Sequence, residues 1–259
     1  MSQNPDRSIR QLLEERYRYY HHPRFIAEDP LSVPHQFTRK ADREIAGLFA
    51  AVLSWGRRTS ILKSCNRLLQ HMDFAPHDFV LHHTAADLRR LTGFCHRTFK
   101  DTDLYYFLHF LKRYYRKYPS LEDAFARFVS PHDETIENGL IGFHRLFFAA
   151  QYPQRTRKHL PTPERGSACK RLNLFLRWMV RRDDQGIDFG IWTRISPRQL
   201  VCPCDVHVMR VASRLGLACG AANWKTALTL TARLRELDPD DPVRFDFALF
   251  GMGVVERMP

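Results

Sequence analysis

The residues whose types and spacing could support chemistry lie between Gly166 and Gly216. Lys170 follows a glycine by four residues, in the first turn of a helix predicted to start at about Ser167. Asp205 heads a second predicted helix, 35 residues after Lys170. A lysine in the first helical turn is unfavourable for the helix dipole, so this position favours a role other than stability. Amines act as nucleophiles where burial or nearby cations disfavour the protonated form.

Each of these residues also has a simpler interpretation that the sequence leaves open. Lys170 would serve equally well as an exposed lysine or as a phosphate contact. Asp205 is a common type of helix N-cap, and His207 would then be a packed or capping residue. The turn at Gly166 leaves several backbone N–H groups of the following helix unpaired, which favours the binding of an anion such as a nucleic-acid phosphate.

The charge balance also favours a polyanionic partner. The chain has 40 Lys and Arg against 28 Asp and Glu, a net charge of +12. This predicts nucleic acid first and an anionic membrane surface second. Between Gln151 and Arg182 there are nine basic residues and one acid, Glu164. The alternative is a solvated basic face that binds nothing.

A second basic segment lies at a predicted helix–helix corner, Ser54-Trp55-Gly56-Arg57-Arg58-Thr59. One amphipathic helix ends at Gly56, and Thr59 or Ser60 is the predicted cap of the next. An ordinary turn with solvated arginines explains the same residues.

The hydrophobic pattern predicts an all-α protein with short connections. Apolar residues recur at helical spacing along most of the chain, and no segment alternates long enough to predict a sheet. The six cysteines have no paired spacing, so we expect reduced, mostly buried thiols. No apolar leader or membrane-spanning run is present, so we expect a soluble, cytoplasmic protein, and a monomer.

Two motifs carry a resemblance to a known superfamily. Gly166–Lys170, GSACK, and Pro203–Val211, PCDVHVMRV, resemble the hairpin lysine and the aspartate motif of the helix-hairpin-helix GPD base-excision DNA glycosylases. The corner Val52–Thr59 resembles their corner that faces the minor groove. Over nearly its full length the chain is similar to an uncharacterised bacterial family, largely from Bacteroidetes, that resembles a divergent branch of this superfamily.

The resemblance implies a fold of two helical lobes with a helix-hairpin-helix. Residues 1–259 would form a single glycosylase-like domain. Lobe one would span about 45–182, and lobe two about 1–44 together with 183–259.

The resemblance also implies roles for individual residues. Lys170 would attack C1′ of a flipped, damaged nucleotide, such as an oxidised purine, and form a Schiff base that undergoes AP-lyase elimination, while Asp205 assists. Double-stranded DNA with a damaged or abasic nucleotide would be the partner, and the protein would be associated with the nucleoid. The implied DNA-binding residues are Ser54, Arg57, Arg58, Gly166, Ser167, Ala168, Arg171 and His207, and the implied base-pocket residues are Trp55 and Trp192.

The sequence departs from the pattern of the superfamily at three points. Ala168 stands where the superfamily has a second hairpin glycine, and Gly56 stands where the corner usually has a glutamine. No cysteine follows Cys219, so we expect no iron–sulfur cluster. No cofactor motif and no matching pair of metal ligands stands out, so we also expect no other cofactor and no metal. The alternative function is a non-catalytic helix-hairpin-helix protein that binds DNA or RNA.

Overall fold

The computed structural model describes residues 5–256 and 258, so the predicted domain's residues 1–4, 257 and 259 lie outside it. The predicted all-α class is confirmed. In chain order the elements are α1 (Pro5–Tyr20), α2 (Lys40–Leu53), α3 (Arg58–His71), α4 (Pro76–His82), α5 (Ala85–Arg90), β1 (Cys95–His96), β2 (Phe99–Lys100), α6 (Asp101–Tyr115), α7 (Glu122–Ala126), α8 (Glu137–Phe147), α9 (Lys170–Val180), α10 (Val206–Arg214), α11 (Trp224–Leu237) and α12 (Asp246–Val254).

Short 3-10 helices fill many of the connections, and most of them begin at a proline. They span Pro23–Phe25, Pro30–Ser32, Pro34–Gln36, Gln154–His159, Pro163–Arg165, Pro197–Gln199 and Pro242–Phe245. Proline suits the first helical position because its fixed φ is already helical and its missing N–H has no partner to lose there. Segments that look irregular in the sequence therefore have defined local structure.

One small antiparallel hairpin was missed by the sequence analysis. Within the described chain, β1 and β2 pair Cys95 with Lys100 and His96 with Phe99. Two residues per strand are too few for hydrophobic alternation to be recognisable.

The chain divides into two compact units, each assembled from separate segments. Unit 1 contains the described residues of Met1–Phe25, Ser130–Asn138 and Thr162–Pro259, and unit 2 contains Ile26–Val129 and Gly139–Pro161. These bounds differ from the predicted lobes, because residues 26–44 cluster with unit 2 and residues 162–182 cluster with unit 1. Lys170 and Asp205 therefore belong to the same unit.

Unit 1 has its core around α9 and α12. Phe175 and Trp192 pack edge to face with ring centroids 5.3 Å apart, and both side chains are buried. Helix α12 is flanked by α1 and α10. Burial of these large apolar side chains is the main stabilising contribution expected for a core of this kind.

Unit 2 is organised around α2, which is buried over nearly its whole length and contacts α3 and α4. Aromatic rings from α6 and α8 form a second part of this core, with Phe110 and Phe147 centroids 4.5 Å apart. The buried Glu44 carboxylate accepts hydrogen bonds from the Tyr115 hydroxyl at 2.7 Å and the Leu121 N–H at 3.0 Å. These bonds satisfy a charge that would otherwise be costly to bury.

Candidate functional site

The structure brings Lys170 and Asp205 together at the N-terminal ends of two helices of unit 1. Lys170 is the first residue of α9, and Asp205 is the N-cap of α10. Asp205 Oδ1 accepts hydrogen bonds from the N–H groups of His207, at 2.9 Å, and Val208, at 3.0 Å. The other oxygen, Oδ2, lies 3.6 Å from Lys170 Nζ. One carboxylate therefore both starts a helix and faces the amine.

The two side chains are neither buried nor fully solvated. Lys170 is 28% exposed and Asp205 is 20% exposed. A ligand from solvent can reach both groups, while their partial burial makes their electrostatic interaction stronger than that of a surface pair.

The turn before α9 differs in detail from the predicted one. Gly166 has the expected left-handed backbone, with φ of 72°, but Cys169 is also left-handed, with φ of 48°. The helix consequently begins at Lys170, three residues after the predicted start at Ser167. The Cys169 N–H donates to Ser167 Oγ at 3.2 Å, so this amide has a partner within the turn.

The same turn is anchored to the rest of unit 1. The Asn173 side-chain amide donates to Ala168 O at 3.0 Å, and the Trp224 N–H donates to Gly166 O at 3.0 Å. Immediately before Gly166 the chain forms the 3-10 helix Pro163–Arg165 rather than an α-helix. The predicted hairpin therefore has a full helix on its C-terminal side only.

A third carboxylate lies behind the pair. Asp246, the first residue of α12, is 4% exposed and pairs with the Arg177 guanidinium of α9. Burial raises the pKa of the Asp246 carboxyl from its ordinary 3.8 to about 6; the Arg177 charge opposes this rise and the Asp205 charge adds to it. Sequence reasoning missed Asp246, although an aspartate within the apolar run FDFALFGMG is a detectable signal.

Buried ion pairs continue from Arg177 along α9. Arg177 Nε lies 3.4 Å from Asp188, and Arg181 Nη1 lies 2.6 Å from the other oxygen of the same carboxylate. Arg181 also pairs with Asp241 at 2.8 Å. These two arginines, counted as part of the basic stretch from Gln151 to Arg182, are therefore internal and neutralised rather than available to a polyanion.

The remaining residues of unit 1 that were predicted to bind DNA differ in how exposed they are. Ser167 and His207 are half-buried, Gly166 is exposed and Ala168 is buried. Arg171 is half-buried, and burial lowers the pKa of its guanidinium to about 10. Gly166, Ser167 and His207 remain accessible for contact with a ligand.

Trp192 does not have the environment expected of a base-pocket wall. Its side chain is 1% exposed and packs against Phe175 in the core of unit 1. A ring enclosed in this way has no open face on which a nucleotide base could stack. The apolar character of the residue reflects core packing.

The predicted corner residues lie in unit 2, between α2 and α3. Ser54 is buried and donates its hydroxyl to Ala50 O at 2.6 Å. Trp55 and Arg58 are half-buried, and Arg57 is exposed at the N-cap position of α3. The predicted side-chain caps Thr59 and Ser60 are wrong, because α3 begins at Arg58 without a side-chain cap.

One group of potential metal ligands occurs among the described residues: His21, Asp183 and Asp184. The Asp183 carboxylate already accepts backbone N–H groups from residues 185, 187 and 188, and His21 Nε2 lies 3.3 Å from it. Although burial opposes the shift, the contact with His21 and the N–H groups of residues 188 and 187 hold the pKa of Asp183 below its ordinary value. This arrangement is that of a carboxylate that organises a turn.

The fold and site define an all-α protein with a lysine–aspartate pair at two helix starts. The chain belongs to the family described as a protein of unknown function, DUF2400, whose model matches residues 29–255. No curated protein and no solved structure matches the chain. Among the described residues, no helix is both long and apolar enough to cross a membrane.

Proposed function

We propose that this protein is a DNA glycosylase with AP-lyase activity, and that Lys170 is its nucleophile. The observation that supports the proposal is the 3.6 Å separation of Lys170 Nζ and Asp205 Oδ2, at partly exposed positions. The residues come from the two motifs that resemble the hairpin lysine and the aspartate of the helix-hairpin-helix glycosylases. Double-stranded DNA with a damaged base, such as an oxidised purine, or with an abasic nucleotide is the proposed substrate.

The chemistry needs Lys170 in its neutral form, and Asp205 Oδ2 is positioned to accept the ammonium proton. The amine nitrogen then forms a bond to C1′, the bond from C1′ to the base breaks, and its electron pair leaves with the base, which takes up a proton. Ring opening gives a Schiff base between C1′ and Nζ. Loss of a C2′ proton then breaks the C3′–O bond, and water releases the sugar fragment from the lysine.

The Asp205 carboxylate has a second role in this scheme. The carboxylate passes the proton it took from Lys170 to the departing base, and its restored negative charge stabilises the positive charge that develops on the sugar in the transition state. The hydrogen bonds from His207 and Val208 fix the carboxylate before reaction. C1′ is shielded in a stacked duplex, so the nucleotide must leave the base stack to reach Lys170.

Borohydride trapping tests this proposal, because borohydride reduces a Schiff base to a stable amine. We expect the wild-type protein to form a covalent adduct with duplex DNA that contains an abasic site. Lys170→Ala should form none. Asp205→Asn should reduce the trapping rate by at least about 100-fold, the size typical of a lost acid–base group.

The matched control is Lys117→Ala, which removes an exposed lysine from unit 2. This variant should trap as the wild type does. Absence of an adduct from the wild type, with abasic DNA and with a panel of damaged duplexes, would contradict the proposal.

The 3-10 helix before Gly166 favours a second candidate, a non-catalytic nucleic-acid-binding protein, because the resemblance to the catalytic hairpin is incomplete there. In that case Lys170 and Asp205 form only an ion pair that orders the starts of α9 and α10. DNA binding would survive in Lys170→Ala, and neither protein would trap an adduct.

A further inference from the structure

Two loops of unit 2 meet at the Trp55 side chain. The first is the corner between α2 and α3, and the second is the tip of the β1–β2 hairpin, which contains Arg97. The guanidinium carbon of Arg97 lies 4.9 Å from the centroid of the Trp55 ring. Arg97 is exposed and Trp55 is half-buried, so this cation–π pair lies at the surface.

Gly56 makes room for this contact. Its backbone is left-handed, with φ of 104°, and a Cβ atom at this position would lie 2.6 Å from Arg97 Nη1. Arg97 therefore lies directly across the backbone of the corner. The left-handed backbone explains the glycine that stands where the superfamily pattern has a glutamine, and the Arg97 side chain occupies the space beside it.

The hairpin that carries Arg97 is held in place through strand β1 and through its turn. Arg67 Nη2 donates to Cys95 O at 3.1 Å, and Arg155 Nη2 donates to Thr98 O at 2.9 Å. His96 Nδ1 lies 2.9 Å from Ser64 Oγ. Arg97 itself has a left-handed backbone, with φ of 55°, which is unusual for a residue with a side chain. The backbone that carries the guanidinium is therefore preorganised by the surrounding structure.

The two segments that carry the pair are basic. Residues 54–72 and 95–100 contain no aspartate or glutamate and six basic residues, namely Arg57, Arg58, Lys63, Arg67, Arg97 and Lys100. All of these except the half-buried Arg58 are exposed. A charge distribution of this kind attracts a polyanion.

We propose that Arg97 and Trp55 together form a stacking platform for an unstacked base of DNA. A planar guanidinium and an indole are the groups on which bases stack without sequence preference, and the nearby cations suit the phosphate backbone. A duplex distorted at a missing base exposes such a base and fits this surface better than an undamaged duplex. This inference rests on the proposed function in taking DNA as the partner, but it does not depend on the chemistry of Lys170.

Tryptophan fluorescence tests the platform directly. The chain has four tryptophans, and Trp178, Trp192 and Trp224 are 0%, 1% and 6% exposed. Quenching by acrylamide therefore reports mainly on Trp55. We expect a duplex with a stable abasic-site analogue to reduce this quenching in the wild-type protein. Unchanged quenching when the DNA is bound would overturn the proposal.

Three variants separate stacking from charge. Arg97→Ala should weaken binding to the abasic-site duplex about tenfold more than binding to the undamaged duplex, as expected from the loss of one stacking contact. Arg97→Lys should keep the salt dependence of binding and still lose most of the preference for the abasic duplex. The control Arg116→Ala should affect both duplexes equally, because Arg116 lies at the far end of α6, about 22 Å along the helix from the hairpin.

The outcomes distinguish this inference from the proposed function. If Arg97→Ala and Arg116→Ala behave alike on both duplexes, the platform is wrong, while borohydride trapping through Lys170 stands unaffected. If the wild-type protein binds no DNA, both proposals fail. If trapping fails but Arg97→Ala selectively loses the abasic duplex, the platform belongs to a binding protein rather than to an enzyme.

Discussion

The Asp246 carboxyl is the buried acid whose environment is most informative about the site. It lies behind Lys170 and Asp205 and shares the Arg177 guanidinium with Asp188. Its raised pKa means that the folded protein binds this proton more tightly than the unfolded chain does. The stability that this group contributes is therefore fully present below about pH 4 and is lost as the pH rises through about 6.

Asp246→Asn should remove this pH dependence. The difference in free energy of unfolding between wild type and variant should change by on the order of 2 kcal/mol between pH 4 and pH 6. Urea denaturation at several pH values measures this difference. Parallel stability curves for the two proteins would show that Asp246 does not titrate in this window.

Residue types alone could identify Lys170 and Asp205 but not their neighbours. A glycine before a basic helix start and an aspartate before a second helix are local signals. The three aspartates that neutralise Arg177 and Arg181 are separated from them by 7 to 69 residues. Ion pairs of this separation have no local pattern, so the sequence could not show that these arginines are internal.

At the scale of the secondary-structure elements, the helix that starts at Asp205 links stability to the proposed chemistry. Oδ1 serves as the cap and Oδ2 faces the lysine. Asparagine is as good an N-cap as aspartate, whereas alanine cannot accept the two N–H groups. Substitutions at this position can therefore separate the two roles.

Asp205→Ala should lower the free energy of unfolding by about 1 kcal/mol, and Asp205→Asn should change it much less. Urea denaturation at neutral pH measures both. Equal destabilisation by the two substitutions would mean that the ionic contact with Lys170, rather than the cap, stabilises this helix.

Helices were predicted well where the hydrophobic periodicity extends over many residues. Local structure was predicted poorly where the chain turns. The helix start at Asp205 was evident from its capping residue, and it is confirmed. The start of α9 was placed too early, because Cys169 adopts a left-handed conformation that its residue type does not predict. The hairpin with Arg97 was missed because its strands are so short.

At the scale of the whole molecule, the net charge of +12 overstates the surface available to a polyanion. Arg177 and Arg181 are buried in ion pairs, and Arg155 pairs with the buried Asp103 at 2.8 Å. The exposed basic residues include Arg57 of unit 2 and Arg165 of unit 1. Their contribution to binding can be measured through counterion release.

The logarithm of the DNA-binding constant should fall linearly as the logarithm of the salt concentration rises. Arg57→Ala should reduce the magnitude of this slope by about 0.9, the contribution of one phosphate contact in a duplex. Fluorescence anisotropy over a range of salt concentrations provides the measurement. A slope unchanged in Arg57→Ala would exclude a phosphate contact at this residue.

The division of the chain into interleaved segments determines the order in which the protein can fold during synthesis. The segments of unit 2 end at Pro161, so this unit can complete its contacts before the last segment of unit 1 is translated. Helix α1 must wait, since it packs on α12 and Glu14 pairs with Arg244 across 230 positions. The apolar face of α1, with Leu13 at its centre, is therefore exposed on the ribosome until α12 has been translated.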